Sequence, residues 1–303
     1  MDMEPDSPVS GNPRIGLIGL GLMGSALAAR LIEAGFSVTG FDIDAAKCAE
    51  LRRSGGVIAA SVSDVFVECR TIILALFDAS QVEAVLGGLP PSAVPGTILI
   101  CVTTCAPERM RDLARGAADQ GISLIEAPIS GTSKQARNGS AAALIAGEPC
   151  AVEAAQPVLD ALCPQQIFIG QIGDASRTKL AINLILQNNR AALAEGIAFA
   201  ESMGLDASVF LAAARQSAAY SSVMDTKGEK MRLRDFTPQS HIAQTLKDAE
   251  LILDEARRQG QSLPVTTVQA ALLRTTIALL GGEVDSAAIV EAIRPSGKRG
   301  SMR

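Results

Sequence analysis

The chain has 303 residues, 48% of them hydrophobic and 19% charged, with a formal net charge of -5. That length holds one large domain or two ordinary ones, each with a buried core. The acidic balance argues against nucleic acid or an acidic membrane surface as the main partner. No apolar run reaches the roughly eighteen residues of a membrane span, and the start, MDMEPDSPVSGN, lacks the regions of a signal peptide, so a cytoplasmic location is expected.

Residues 1–12 read as a loose N-terminus. Residues 15–42, IGLIGLGLMGSALAARLIEAGFSVTGFD, then read as a strand, a glycine turn, a helix and a second strand with an acidic end. Ile15, Leu17 and Ile18 precede the glycines; Ala26, Leu27, Leu31 and Ile32 form one helical face; Gly35 ends the helix. Gly19 suits a tight turn, Gly21 a close backbone approach to a pyrophosphate, and Gly24 close helix–strand packing. Leu22 and Met23 open the helix, where unpaired N–H groups and the positive end of the helix dipole favour an anion. Asp42 follows Gly24 by eighteen residues, near the offset at which a carboxylate accepts from an adenosine ribose hydroxyl. The carboxylate would repel a 2'-phosphate, so the expected cofactor is NAD rather than NADP.

Further strand-like runs follow: TIILAL at 71, TILICV at 97, ISLIEAPI at 122, AAALIAG at 141 and QIFIG at 166. Alternating with helical stretches, they predict a doubly wound parallel sheet of Rossmann type over residues 13–174. From Thr178 to Gly204 a proline-free stretch with helical apolar spacing begins an all-helical domain, assigned to 175–295, with further helices near 206–218, 238–260, 264–280 and 286–294; residues 296–303 read as a loose tail. The 178–204 helix is apolar on most faces and needs cover nearly all round, which predicts a homodimer or homotetramer.

Six cysteines, Cys48, Cys69, Cys101, Cys105, Cys150 and Cys163, form no CxxC pair and read as buried free thiols, with Cys101 and Cys105 a weak redox-pair candidate. The single histidine, His241, excludes zinc sites built on several imidazoles, and it reads as a satisfied helix residue rather than a catalyst. A proton carrier other than histidine is therefore sought. Lys179 and Asn183 lie one turn apart on one face of the apolar helix. The pair reads either as a solvated first turn or as a proton-transferring ammonium beside an orienting amide, with desolvation lowering the lysine pKa. Ser130, Gly131, Thr132 and Ser133 leave a strand's carboxyl end, where open α/β sheets bind ligands. They suit a carboxylate, or equally an ordinary loop and helix cap.

Taken together, these motifs resemble the β-hydroxyacid dehydrogenase family, which includes 3-hydroxyisobutyrate dehydrogenases and tartronate semialdehyde reductases. The likeness runs through GLIGLGLMG at 16–24, VTTCAP at 102–107, APISG at 127–131, KLAIN at 179–183 and LKDAEL at 246–251. The resemblance implies an NAD-dependent oxidoreductase interconverting a short β-hydroxy acid and its semialdehyde or ketone, with a small carboxylic acid as substrate. In that reading Lys179 is the general acid/base and Asn183 positions it. Ser130 and Gly131 hold the carboxylate, with Thr132 as a further candidate. Thr103, Thr104, Leu76, Phe77 and Lys247 lie at the cofactor, and Asp248 near the substrate. The chain departs from the family pattern in Thr132, where a second glycine is usual, in Leu76-Phe77 for Leu-Pro, and in Ser240 for a pocket phenylalanine. These changes suggest a more polar or differently shaped substrate than 3-hydroxyisobutyrate. An imine reductase of the same architecture is the nearest alternative, disfavoured by Lys179, and a non-catalytic nucleotide-binding protein is the other.

Overall fold

The structure, a computed structural model, describes residues 13–89 and 95–295; the segments read as a loose N-terminus (1–12) and a loose tail (296–303) lie outside them. The described chain divides into two compact units at Ser176/Arg177.

The first unit runs β1 (Arg14–Ile18), α1 (Leu22–Glu33), β2 (Ser37–Phe41), α2 (Ala45–Arg53), β3 (Val57–Ile58), α3 (Val62–Glu68), β4 (Thr71–Leu74), α4 (Ala79–Gly87), β5 (Ile98–Cys101), α5 (Pro107–Ala118), β6 (Ser123–Glu126), β7 (Ile129–Ser130), α6 (Ser133–Arg137), β8 (Ala142–Ala146), α7 (Pro149–Leu162) and β9 (Gln165–Gly170). The sheet order is β3-β2-β1-β4-β5-β6-β8-β7, with β9 beside β8. Strands β1 to β6 pair in parallel. The expected Rossmann-type parallel sheet is present over β1 to β6, and at its far edge β8 runs antiparallel to β6 and β7. Strand β7 follows β6 after only Ala127 and Pro128.

Side chains alternate across the strands and build a core on each face. Ile73, Ile100 and Ile125 join Leu27 and Leu31 of α1 on one face. Ile72, Leu74 and Leu99 join Val65, Phe66 and Met110 on the other. Strand order reverses between β1 and β4, so the carboxyl ends of these strands flank the switch point at which open α/β sheets hold ligands.

Helix α8 (Asp174–Ser202) begins in the first unit and continues as the opening element of the second. Its start is held by a buried carboxylate. Glu126, at the end of β6, accepts from Gly173 N, from Ser176 N at 2.8 Å and from Ser176 Oγ at 2.6 Å. Burial pushes the Glu126 carboxyl above the usual range, and these donors oppose that shift.

The second unit continues with α9 (Ala207–Arg215), a π-helical turn at Met224–Gly228 that runs into α10 (Glu229–Leu233), α11 (Ile242–Arg258), α12 (Pro264–Leu280), a 3-10 turn at Ser286–Ile289 and α13 (Val290–Ile293). Leu193, Ile197, Leu211, Ile242, Leu273 and Ile289 share its core. The π turn and α10 were not expected, because MDTKGEKMRL is polar and contains a glycine. A buried ion pair holds the turn in place: Lys227 Nζ lies 2.8 Å from both oxygens of Asp285. Among the described residues no helix is long and apolar enough to cross a membrane.

Removing the Glu126 carboxylate should expose the cost of orphaned helix donors. Glu126→Ala is expected to lower the unfolding free energy by roughly 2–4 kcal/mol, since two buried backbone N–H groups lose their acceptor. Urea unfolding followed by circular dichroism measures this.

Candidate active site

The glycine turn has the geometry its sequence demands. Gly19 has φ +94, and a Cβ there would meet Ala75 O at 2.4 Å. A Cβ on Gly24 would lie 2.0 Å from Gly19 O, so only glycine lets α1 pack this close. At Gly21 a Cβ would meet nothing within 4 Å, and this residue caps α1 without any side-chain acceptor. Open space therefore faces a helix start whose first N–H groups, at Leu22 and Met23, take no side-chain cap, as a pyrophosphate requires. The residues present thus fit a dinucleotide.

Asp42 has a second attachment that the sequence did not announce. Its Oδ2 accepts from Leu20 N at 2.7 Å and its Oδ1 from Asp44 N at 2.9 Å, with Lys47 Nζ 3.9 Å away. The carboxylate at the end of β2 thereby clamps the glycine loop between Gly19 and Gly21. A neighbouring clamp joins the loops after β4 and β5, where Leu76 N donates to the buried Thr103 Oγ1 at 3.1 Å. Phe77 N donates to Gln81 Oε1 at 2.9 Å while its ring is exposed, and Thr104 is half-buried. Cys101 and Cys105 flank these threonines as buried free thiols in mutual hydrogen-bonding contact. The cysteine reading is corrected at Cys150, which is exposed, and at Cys48, which is only half-buried.

Ser130 ends β7, and a Cβ on Gly131 would lie 2.8 Å from Ala141 Cβ, which explains the glycine. The Thr132 hydroxyl accepts from Gln135 N at 3.2 Å, and Gln135 Oε1 accepts from Thr132 N at 2.9 Å. This reciprocal capping box starts α6, so the hydroxyl is spent on the helix.

In the helical unit, Lys179 and Asn183 share one face of α8 and are both buried. Lys179 is only 6% exposed. Desolvation pulls its ammonium down to about 8, Asp248 acting in the opposite direction and Lys247 in the same one. Asn183 Nδ2 donates to Asp248 Oδ2 at 3.0 Å, and Lys247 Nζ lies 2.8 Å from Asp248 Oδ1 as an ion pair. The motifs at 179–183 and 246–251 thus meet through Asn183 and Asp248. His241 caps α11, its Nδ1 2.8 Å from Glu283 O, as expected of a satisfied ring. Ser240 Oγ lies 3.0 Å from Ser286 Oγ.

Three buried polar residues escaped the sequence reading. Glu126 stood at the edge of a strand, while Gln187 and Arg190 lay in a helix read as apolar. Their signal was position: from Lys179 through Asn183 and Gln187 to Arg190, the spacings of four, four and three residues keep all four on one helical stripe.

Comparison with known proteins decides the family. The profile of the NAD binding domain of 6-phosphogluconate dehydrogenase matches residues 14–170, and that of the NAD-binding region of NADP-dependent 3-hydroxyisobutyrate dehydrogenase matches 173–293. The chain belongs to the β-hydroxyacid dehydrogenase family. L-threonate dehydrogenase of Cupriavidus necator is 31% identical over 91% of this chain and 94% of its own length. The 2-hydroxy-3-oxopropionate reductase of Escherichia coli is 29% identical over 92% and 97%. Among solved structures, 3-hydroxyisobutyrate dehydrogenase from Salmonella typhimurium superimposes with a TM-score of 0.85 at 25% identity, covering 92% of this chain and 99% of that one. This β-hydroxyacid dehydrogenase is accordingly an NAD(P)-dependent oxidoreductase of β-hydroxy acids and their semialdehydes.

The contrasting surroundings of two glycines give a direct check on the cofactor loop. Gly21→Ala should fold with stability changed by less than about 1 kcal/mol, yet bind the dinucleotide at least ~10-fold more weakly because a methyl group enters the pyrophosphate space. Gly24→Ala should instead cost about 1–3 kcal/mol through overpacking. Thermal denaturation and titration calorimetry separate the two effects.

Proposed function

We infer that Lys179 is the general acid/base of this enzyme, with Asn183 and Asp248 fixing its surroundings. The observation that carries this reading is a buried lysine, drawn down to about 8, one helical turn from an amide bonded to a carboxylate. A base poised near the working pH combines a usable protonation state with a useful driving force. In the oxidation direction, the neutral Lys179 amine takes the hydroxyl proton as the C–O bond becomes a carbonyl. The nicotinamide, when bound, supplies the hydride acceptor. In reduction, the Lys179 ammonium returns the proton to the carbonyl oxygen. Ser130 and the backbone at Gly131 take the substrate carboxylate in this reading, and the occupied Thr132 hydroxyl supports them structurally. Lys179 also weighs against imine reduction and against a purely nucleotide-binding role, neither of which calls for this base.

Asp42 supports a preference for NAD, since a fixed carboxylate at the end of β2 repels a 2'-phosphate while suiting a ribose hydroxyl. A homo-oligomer is supported by α8, which carries Ile185 and Phe199 at 61% and 65% exposure; apolar surface of that kind on a long helix suits a second copy of the chain. Gel filtration with light scattering should return a mass of at least two chains.

The pH dependence has a definite sign. kcat/KM for oxidation should rise with pH to a plateau through a midpoint near 8, because the neutral amine is needed, and kcat/KM for reduction should fall through the same range. Stability moves as well: between about 8 and the ordinary lysine value of 10.5, the unfolded chain binds the extra proton, so the Lys179 contribution raises stability as pH increases. Asp248→Asn removes the charge that favours the ammonium and should shift the oxidation midpoint below that of the parent. Lys179→Met should abolish turnover, by roughly 10²-fold or more, while retaining dinucleotide binding. Unchanged turnover in that variant would overturn the assignment. Separately, Asp42→Ala should reduce the ratio of kcat/KM with NAD to that with NADP, measured with one substrate.

A further inference from the structure

Arg190 lies on the same stripe of α8 as Lys179 and Asn183, eleven residues beyond the lysine. It is 6% exposed. Among the described residues no acceptor meets its Nε or Nη1. Gln187, one turn before it on that stripe, is also buried, and its Oε1 has no partner. Buried polar atoms are nearly always paired, and an unpaired buried charge is the costlier exception.

The nearby carboxylates do not supply the missing partner. Asp285 and Asp248 are the acids whose fields favour the charged guanidinium, against the desolvation that lowers its pKa. Asp285 is already saturated: Lys227 Nζ lies 2.8 Å from both its oxygens, and the N–H groups of Gln239, Ser240 and Ala287 donate to it. Asp248 is engaged by Asn183 and Lys247. Lys227 also feels Arg190 as a like charge. Two buried cations, Lys227 and Arg190, therefore share the field of one fully bonded carboxylate at this point. The surplus charge and the unused N–H groups sit on the same side chain.

We propose that Arg190 anchors an anion-binding subsite in the helical unit, which takes a carboxylate or an oxyanion of similar size. Two sources provide that chemistry: a second acidic group on the substrate, or a free anion. In the first case the enzyme's substrates are β-hydroxy acids with a distal carboxylate; this arm rests on the function proposed above, and the second does not. Gln187, three residues earlier on the same stripe, adds an unpartnered buried acceptor, suited to a hydroxyl on the same ligand.

A matched pair of substrates tests the first source. 3-Hydroxyisobutyrate and 2-(hydroxymethyl)succinate differ by a methyl group replaced with a CH2-carboxylate, and 2-(hydroxymethyl)glutarate extends the acidic arm by one carbon. The ratio of kcat/KM for diacid over monoacid should exceed one in the parent and fall at least ~10-fold in Arg190→Met, the loss of a bidentate charge-assisted contact. Sodium acetate titrated at constant ionic strength tests the second. It should raise the Tm of the parent by a few degrees or more, on the order expected for saturating ligand, and leave that of Arg190→Met unmoved. Arg190→Met without ligand should melt at or above the parent temperature, because an unpaired buried charge has been removed.

If Arg190→Met fails to fold, Arg190→Lys and the acetate titration of the parent carry the same comparison. A selectivity change without an acetate effect assigns the subsite to substrate; an acetate effect without a selectivity change assigns it to a free anion. The absence of both effects overturns the proposal. Lys179→Met keeps the two readings apart, since it should abolish turnover while the acetate-induced rise in Tm persists.

Discussion

Desolvation of positive charge is the constraint around which the helical unit is organised. An ammonium or guanidinium taken out of water costs several kcal/mol unless a partner replaces its hydration. Lys179, Lys227 and Arg190 are all buried in this unit, together with Lys230 and Arg294. The unit meets that cost unequally. Lys227 has a bidentate carboxylate, and its ion pair in turn holds a π-helical turn that no local propensity would have produced. Burial draws Lys179 and Lys227 alike down to about 8, so Lys179 is set apart by sharing a helical face with Asn183 rather than by its pKa.

In the sheet unit the corresponding work falls to the backbone. The glycine loop has no cationic side chain and relies on helix-terminal N–H groups, so its shape must be held closely. It is held from three sides: by the Gly24–Gly19 approach, by Ala75 against Gly19, and by the Asp42 carboxylate on Leu20 N. The Thr103–Leu76 bond does the same for the loops after β4 and β5. Polar side chains that sequence comparison would class simply as cofactor contacts are, in the folded chain, also spacers between loops.

Much of this was legible in the sequence. The glycine spacing, the strand alternation through β6 and the long apolar helix each express a local rule, a positive φ, a period of two or a period of 3.6, that survives folding unchanged. What could not be read depended on partners distant in the chain. The antiparallel edge at β8 is set by its pairing with β6 and β7 rather than by strand composition. The π turn at Met224–Gly228 depends on Asp285, almost sixty residues away. Glu126 looked like the end of a strand because nothing in its neighbourhood announces that Gly173 and Ser176 donate to it. Arg190 was masked by its apolar neighbours, although its spacing from Lys179 already placed it on the inner stripe.

The double engagement of Asp42 carries a consequence for how this enzyme can diverge. In the proposed reading its carboxylate governs cofactor choice, and one of its oxygens, Oδ2, also fastens Leu20 in the glycine turn. On that reading, selectivity and loop architecture are written in one residue. A lineage, or a protein engineer, that replaces Asp42 to welcome a phosphorylated ribose must at the same time provide a new acceptor for Leu20, so the route to altered coenzyme use runs through at least two coupled substitutions rather than one.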